Sequence, residues 1–566
     1  MPSSSPAATL RRRSRWSDRV RSSDEHGRRP VATAATTLLL GVAILAIHPA
    51  AARADDAARL AALLAAGGAV TIPPGDYRFD GTTPVRLASH TTVSAHGARF
   101  IMPDSLGDKA RLVLFAGENL HDLSWQGGHF VGHVFDPARS DNGWEPNANT
   151  RAILVTTTAG GRTENLTFRD ITSDGVAGAV VTVLGAAAPG SDRDVATFAR
   201  NVTVEHCTLE RSGKFMWDYG FLWQIVVWPE DHTAAERALA AKYFRHDLVR
   251  DPVRMAAGDD RVRFANVPPL PLTGRGDNGR DAVCFCGDAL PANIVRGRRY
   301  FVVESTPEWI RVAERAGGPP LTFATDAGPG AKLVADLFAA HLALYAPAGS
   351  GPGKGAIDLV ACENVIVRGC RLGALGDTMH VQKSRGIVFA GNQIVGSRMG
   401  AFFLAEFCRD AVITGNTVDG TNGSRVMSVE KSCTDVTIVG NTFRNGGRGS
   451  WINQPRNLVL ADNVFVNNTT KCEPDPRRGR RSFETGDYER YAEVYLTTHE
   501  PGGRYGNVTI RGNVFTSGPH ASHAITFAPG GDAILVADNI FRGPARDVAS
   551  AEGCTNVEIR GNIAVE

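Results

Sequence analysis

Aromatic residues make up only 7% of this 566-residue chain, and formal charge nearly cancels, with 61 Lys and Arg against 59 Asp and Glu. After residue 47 there is no apolar run long enough to cross a bilayer. Charged residues at 21% and hydrophobic residues at 43% exclude a disordered or coiled-coil chain. The charge balance is uneven along the chain. Nine Arg lie within the first 54 residues against Asp18, Asp24 and Glu25, which leaves 52 basic and 56 acidic residues in the remainder. Bulk charge therefore argues against nucleic acid as a partner.

The Arg-rich start (Arg11 to Arg13, Arg15, Arg19, Arg21, Arg28, Arg29) precedes an uncharged stretch, Ala32 to Ile47, and then Ala52-Arg53-Ala54. That order predicts an export signal over 1–54, a mature start near Asp55 and a secreted or periplasmic location. A retained anchor is the competing reading, weakened because so short a stretch barely spans ~30 Å of hydrocarbon. The Arg28-Arg29 pair leaves the export route open. The nine cysteines are odd in number and do not make a complete disulfide framework. Cys284-x-Cys286 has neither a second ligand pair nor a His cluster beside it in sequence, so no metal site is expected, and buried thiols with at most one bridge are.

What the chain does have is a repeated phrase. It reads Asn-Val-Thr-Val-Glu-His-Cys at 201–207, Asn-Val-Ile-Val-Arg-Gly-Cys at 364–370 and Gly-Ile-Val-Phe-Ala-Gly-Asn at 386–392. Shorter copies end at Asn416, Asn441, Asn463, Asn513, Asn539 and Asn562. Apolar residues alternate within each copy, as strands with one buried face require. No copy holds a helix-length pattern, so each turn of chain is strand, bend, strand, bend. Stacked at ~4.8 Å, such turns bury an interior that no single repeat could bury alone. The terminal Asn suits a bend, through left-handed backbone and side-chain bonding to its stacked neighbour. Repeats of this period predict an all-β chain, a parallel β-solenoid.

On these residues the chain resembles the pectin-lyase-like superfamily of right-handed parallel β-helices. An Ala/Leu helix at 57–66, the Val70 to Tyr77 segment and Gly127 to Gly132 are similar to the capping helix and first coils of polygalacturonase-like and tailspike-like chains. The resemblance implies 55–228 as cap and first coils, 229–355 as an inserted small α+β module and 356–566 as the later coils. Within the insertion, Thr233 to Arg250 reads as a helix and Pro268 to Pro271 as a linker. The segment is expected to stand off the solenoid as a wall or lid, or as passive decoration. No polygalacturonase set of paired Asp followed by Arg-x-Lys occurs, nor the Asp-Pro-His of mannuronan epimerases.

Alternation in the strands ahead of each phrase selects the outward side chains. Taking Ile357 and Leu359 inward turns Asp358 outward; Met379 and Val381 inward turn His380 and Gln382 outward. Phe403 and Ala405 inward would turn Glu406 outward; Met427 and Val429 inward would do the same for Glu430. Trp451 and Asn453 flank the inward Ile452. The spacing to the next phrase leaves Lys431 as the alternative partner of Glu406, and the burial of Met427 and Val429 favours Glu430.

Two carboxylates one coil apart would share a proton and split their pKa values, as glycoside hydrolysis requires. The leading expectation is thus a polysaccharide hydrolase with Glu406 and Glu430 as acid and base or nucleophile, and Asp218 as a third acid. Trp451 would stack on a sugar ring. Gln382, Lys383, Lys431, Asn453 and Asp358 would bind substrate. The competitors are elimination or epimerisation of a uronate polymer, with His380 or Lys383 moving the proton and Ca²⁺ as an admissible aid, and a non-catalytic glycan-binding solenoid. No other cofactor is expected, the partner is a poly- or oligosaccharide, and the oligomeric state is open.

Overall fold

The computed structural model describes residues 56–80, 83–103, 111–132, 149–213 (without 177 and 192), 226–231, 249–264, 282–335 (without 299 and 316), 354–374, 377–397, 400–420, 425–447, 449–469, 492–498, 502–518 and 521–566, with a few isolated positions in 234–241. The predicted signal, Asp218 with its neighbours Trp217, Tyr219 and Trp223, the linker at Pro268 to Pro271 and nearly all of the predicted helix at 233–250 lie outside these residues. At the end of that last span, Val249–Arg250 is a strand rather than helix.

Three long parallel sheets wrap one interior. The first and second sheets have 13 strands each and the third has 11, and each strand pairs with the equivalent strand one coil away. The chain is a right-handed parallel β-helix. Ala57–Leu64 forms the helix at its start, two residues shorter than the sequence suggested, and buries Ala57, Leu60 and Leu64. Gly67 and Gly68, both at positive φ, then turn the chain into the first strand.

The repeat phrase supplies the first sheet and the corner to the second. At that corner the structure corrects one detail. The left-handed residue is the one before each Asn: Gly391, Gly415, Gly440, Asp462, Gly512, Asp538 and Gly561. The Asn itself points inward and bonds to its neighbour, Asn392 Nδ2 donating to Asn416 Oδ1 at 2.9 Å and Asn416 to Asn441 at 2.9 Å. The series continues through Asn463, Asn513, Asn539 and Asn562. Each second Nδ2 hydrogen serves a main-chain carbonyl, as from Asn441 to Ile413 at 2.9 Å, so the buried amides are satisfied where a lost partner would cost about 1–3 kcal/mol. Beside this ladder Phe443, Phe465, Phe515 and Phe541 stack at 5.1, 4.8 and 5.4 Å between ring centres. Such aromatic pairs add about 0.5–1.5 kcal/mol each beyond their burial.

The inserted segment has its own seven-stranded sheet and its own core, centred on Trp228, Phe285, Tyr300, Ile310, Phe323 and Leu333. All its strand pairs are antiparallel. Val253 N donates to Ala331 O at 2.9 Å and Ala327 N to Met255 O at 2.9 Å, drawing the two ends of the sheet together.

Connection lengths define where a site can form. The chain lengthens repeatedly at one corner, between the second and third sheets: residues 132–148, the insertion between Thr208–Ser212 and Lys354–Val360, and residues 467–491. Between the last two, the strands Asp377–Gln382, Gly400–Ala405, Arg425–Val429 and Ser450–Asn453 follow short connections. In sequence, long connections therefore flank this group of third-sheet strands on both sides.

Candidate active site

Register fixes which outward residues of the third sheet are neighbours. One row runs Thr182, Asp358, His380, Phe403, Ser428, Trp451, Tyr495 and Thr526. The inward residues of the Gly400–Ala405 strand are Phe402 and Leu404, both in the core, so the sequence parity for Phe403 and Ala405 is wrong by one residue. Phe403 instead lies outward beside His380, ring centres 5.5 Å apart and nearly parallel. Two adjacent Phe codes in one strand give the alternation rule no way to choose between them.

That slip decides the carboxylate pair. Leu404 pairs with Val429, so Ala405 lies opposite Glu430 and Glu406 opposite Lys431. Met427 and Val429 stay buried as expected. The error came from the coil before them. Glu406 sits in the corner after its strand, half-buried, and its carboxylate pairs with the Lys431 ammonium and accepts from Gln382 Nε2 at 2.9 Å. Its main-chain oxygen accepts from Lys383 N at 2.8 Å. Desolvation pushes the Glu406 carboxyl upward, but Lys431, Gln382 and Lys383 outweigh it and hold the group below the usual carboxylate range. A carboxylate held ionised in this way is a poor proton donor to a leaving oxygen.

The outward polar residues expected at the surface are instead buried. Asp358 is 1% exposed, His380 4% and Asn453 0%, whereas outward apolar residues of the first sheet such as Val412 are 41% exposed. His380 Nδ1 lies 2.8 Å from Asp358 Oδ1. Beside an ionised carboxylate that nitrogen carries the proton and donates, which leaves the Nε2 lone pair as the basic end. Arg151, 3% exposed, donates from Nη2 toward Asp358 Oδ2 at 3.5 Å and from Nε to Thr182 Oγ1 at 3.2 Å. The result is a buried Arg151–Asp358–His380 chain spanning the third-sheet strands on both sides of the insertion. A buried ion pair of this kind is costly to break, about 3–5 kcal/mol when one partner is removed. Sequence reasoning missed Arg151, Thr182 and Phe403. An arginine opening the apolar run Ala152 to Val155 was the available signal.

Around this chain, Gln382, Lys383, Glu430 and Trp451 are half-buried and Lys431 is exposed. The Arg425 guanidinium covers the Trp451 ring at 3.9 Å, so one face of that ring is already occupied. The Asn453 amide has no hydrogen-bond partner among the described residues on either its nitrogen or its oxygen. Eight described cysteines are free thiols, Cys408 and Cys433 among them, and burial pushes the Cys286 thiol up to about 11.

Comparisons with known proteins give one partial family match and several solved structures of low identity. The profile of the NosD family, described as periplasmic copper-binding protein (NosD), matches residues 348–496, well under half of the chain. A search of curated proteins finds no match. Among solved structures, the A-module of Azotobacter vinelandii mannuronan C-5 epimerase AlgE6 is 10% identical, with a TM-score of 0.47, covering 91% of this chain and 96% of that one. An endo-xylogalacturonan hydrolase from Aspergillus tubingensis is 9% identical, with a TM-score of 0.38 and coverage of 90% and 97%. The polygalacturonase of Erwinia carotovora ssp. carotovora is 10% identical, with a TM-score of 0.34 and coverage of 90% and 94%.

Proposed function

We propose that this chain is an exported enzyme acting on an acidic polysaccharide, and that His380 moves a proton on a uronate sugar in elimination or epimerisation. The observation carrying this reading is the buried Asp358–His380 contact at 2.8 Å, which fixes one imidazole nitrogen and leaves the other basic. An imidazole whose second nitrogen keeps its lone pair has the chemistry of a general base. Lys383 follows on the same coil, and Arg425 and Lys431 lie two coils on, where Lys431 is shared with Glu406 and Arg425 with the Trp451 ring; together they supply positive charge for a uronate carboxylate. Hydrolysis by Glu406 and Glu430 is the weaker reading, because Glu406 faces an ammonium rather than a second carboxylate. At 4% exposure, His380 is buried beside Asp358 and the Phe403 ring.

The test is a panel of neutral and uronic polymers, following reducing ends and the ultraviolet absorbance of unsaturated uronate together. Absorbance, or altered uronate stereochemistry without cleavage, that disappears in His380→Gln supports the reading. Reducing ends without absorbance, retained in His380→Gln and lost in Glu406→Gln, would transfer the function to the carboxylates. Binding without any turnover would make the chain a glycan-binding solenoid.

A further inference from the structure

At the corner between the third and first sheets, several coils before His380, His90 ends the turn ahead of the first-sheet strand Thr91–Ser94, and His121 and Asp122 begin the strand His121–Gln126 one coil later. His90 N donates to His121 O at 2.9 Å, so the two residues are direct neighbours between coils. Asp122 Oδ2 lies 3.0 Å from His90 Nδ1 and 3.5 Å from His121 Nδ1. The two imidazoles meet edge to face with ring centres 4.4 Å apart. Ligating atoms of all three side chains fall within 4.8 Å of one another.

We infer that His90, His121 and Asp122 form a binding site for a divalent transition-metal ion. Metal–ligand bonds of about 2.0–2.1 Å at tetrahedral or octahedral angles place neighbouring ligand atoms about 3 Å apart, which is the spacing of the two measured contacts. Two imidazoles and one carboxylate suit Zn²⁺, Cu²⁺ or Ni²⁺ and are a poor set for Ca²⁺ or Mg²⁺, which take oxygen ligands. The carboxylate is oriented from behind: Asn165 Nδ2 donates to Asp122 Oδ1 at 2.7 Å, leaving Oδ2 turned to the histidines. Outer partners of this kind aim a ligand.

The rest of the outer ladder shows what is distinctive here. From Asn165 onward the equivalent left-handed positions carry Asn201 and Asn364, which bond as simple pairs at 2.8 and 3.1 Å. Only at this end of that run do two imidazoles converge on one carboxylate oxygen. The side chains remain 70%, 28% and 46% exposed, so the remaining coordination positions open to solvent and the ion is exchangeable. The site lies outside residues 348–496 and is independent of the reading given for His380.

The test is titration of the chelator-treated full chain with Zn²⁺ and, separately, with Cu²⁺ followed by electron paramagnetic resonance. The expected result is one saturable site whose Cu²⁺ spectrum shows two imidazole nitrogens. His121→Ala and Asp122→Asn each weaken it by ~10-fold or more, and Asn165→Ala weakens it less. His523→Ala, at the other end of the solenoid, leaves it unchanged. Circular dichroism melts confirm that the variants fold. Absence of binding to the parent, or affinity unaltered in both His121→Ala and Asp122→Asn, overturns the inference and leaves the three residues as the hydrogen-bonded end of the ladder.

Discussion

Glu406 lies opposite Lys431 in the next coil, with Glu430 one position earlier opposite Ala405. The pair is partly solvent-exposed, and ion pairs in that setting contribute about 0.2–1 kcal/mol. An interaction of that size accounts for a change of about fivefold in rate. Glu406→Gln is expected to keep turnover within that range on any substrate the parent converts. Steady-state kinetics check this, and a loss of several orders of magnitude would restore Glu406 as a catalytic acid or nucleophile.

His380→Gln and Asp358→Asn are expected to lower turnover by ~10²-fold or more, because one removes the base and the other the group that orients it. Gln keeps much of the size of the ring, so the fold survives. Arg151→Ala is expected to destabilise the chain strongly by leaving Asp358 without its buried cation. Urea melts run beside the kinetics separate the two effects. Wild-type stability in Arg151→Ala would show that the three residues do not act as one network.

The inner ladder predicts that Asn441→Ala costs about 1–3 kcal/mol, since Asn416 N and Nδ2 both lose their acceptor and Asn463 Oδ1 loses one of its two donors from Asn441. Denaturant midpoints measure it. A neutral substitution would mean that the amides add nothing beyond the stacking of the coils.

Glu493 gives a pH dependence with a defined sign. The residue is fully buried, and desolvation raises its pKa above 4.5 even though Asn468 N and Gly518 N donate to the carboxylate. Because the folded-state pKa is raised, folding takes up a proton between the unfolded and folded values, and the parent gains stability as pH falls through that window. Glu406 has the opposite sign: its depressed pKa contributes stability at neutral pH that is lost as pH falls through the folded value. Glu493→Gln cannot titrate, so its penalty relative to the parent is expected to grow as pH falls from neutral toward the unfolded-state value. A penalty that stays constant or shrinks would contradict the assignment.

All eight described cysteines are expected to titrate as free thiols in denaturant without reductant. In the native state Cys286 should alkylate slowly, since its thiol is buried with its pKa pushed up to about 11. A count below eight would reveal a bridge.

Period and alternation were enough to read the solenoid, because a repeat ending in Asn every 22 to 26 residues, with one step of 50, permits only stacked strands with one shared interior. Asp358, His380, Gln382 and Trp451 were likewise legible as outward residues on adjacent coils. Glu406 was misplaced because Phe402 and Phe403 fit the inward position equally well in sequence, and only the pairing of Met379 with Phe402 separates them. Arg151 carried a signal, an arginine opening an apolar run, but its partner could not be read because Asp358 lies 207 residues away, beyond the insertion. The His90–His121–Asp122 group required the register of the second and third coils, where the repeat phrase has not yet begun.

The central claim is that His380 takes a proton from a uronate carbon. A polyuronate incubated with the enzyme in D₂O and followed by nuclear magnetic resonance tests it most directly. The account predicts deuterium at the carbon beside the carboxylate, or an unsaturated product, with both lost in His380→Gln. New reducing ends without either signal, undiminished in His380→Gln, would contradict it.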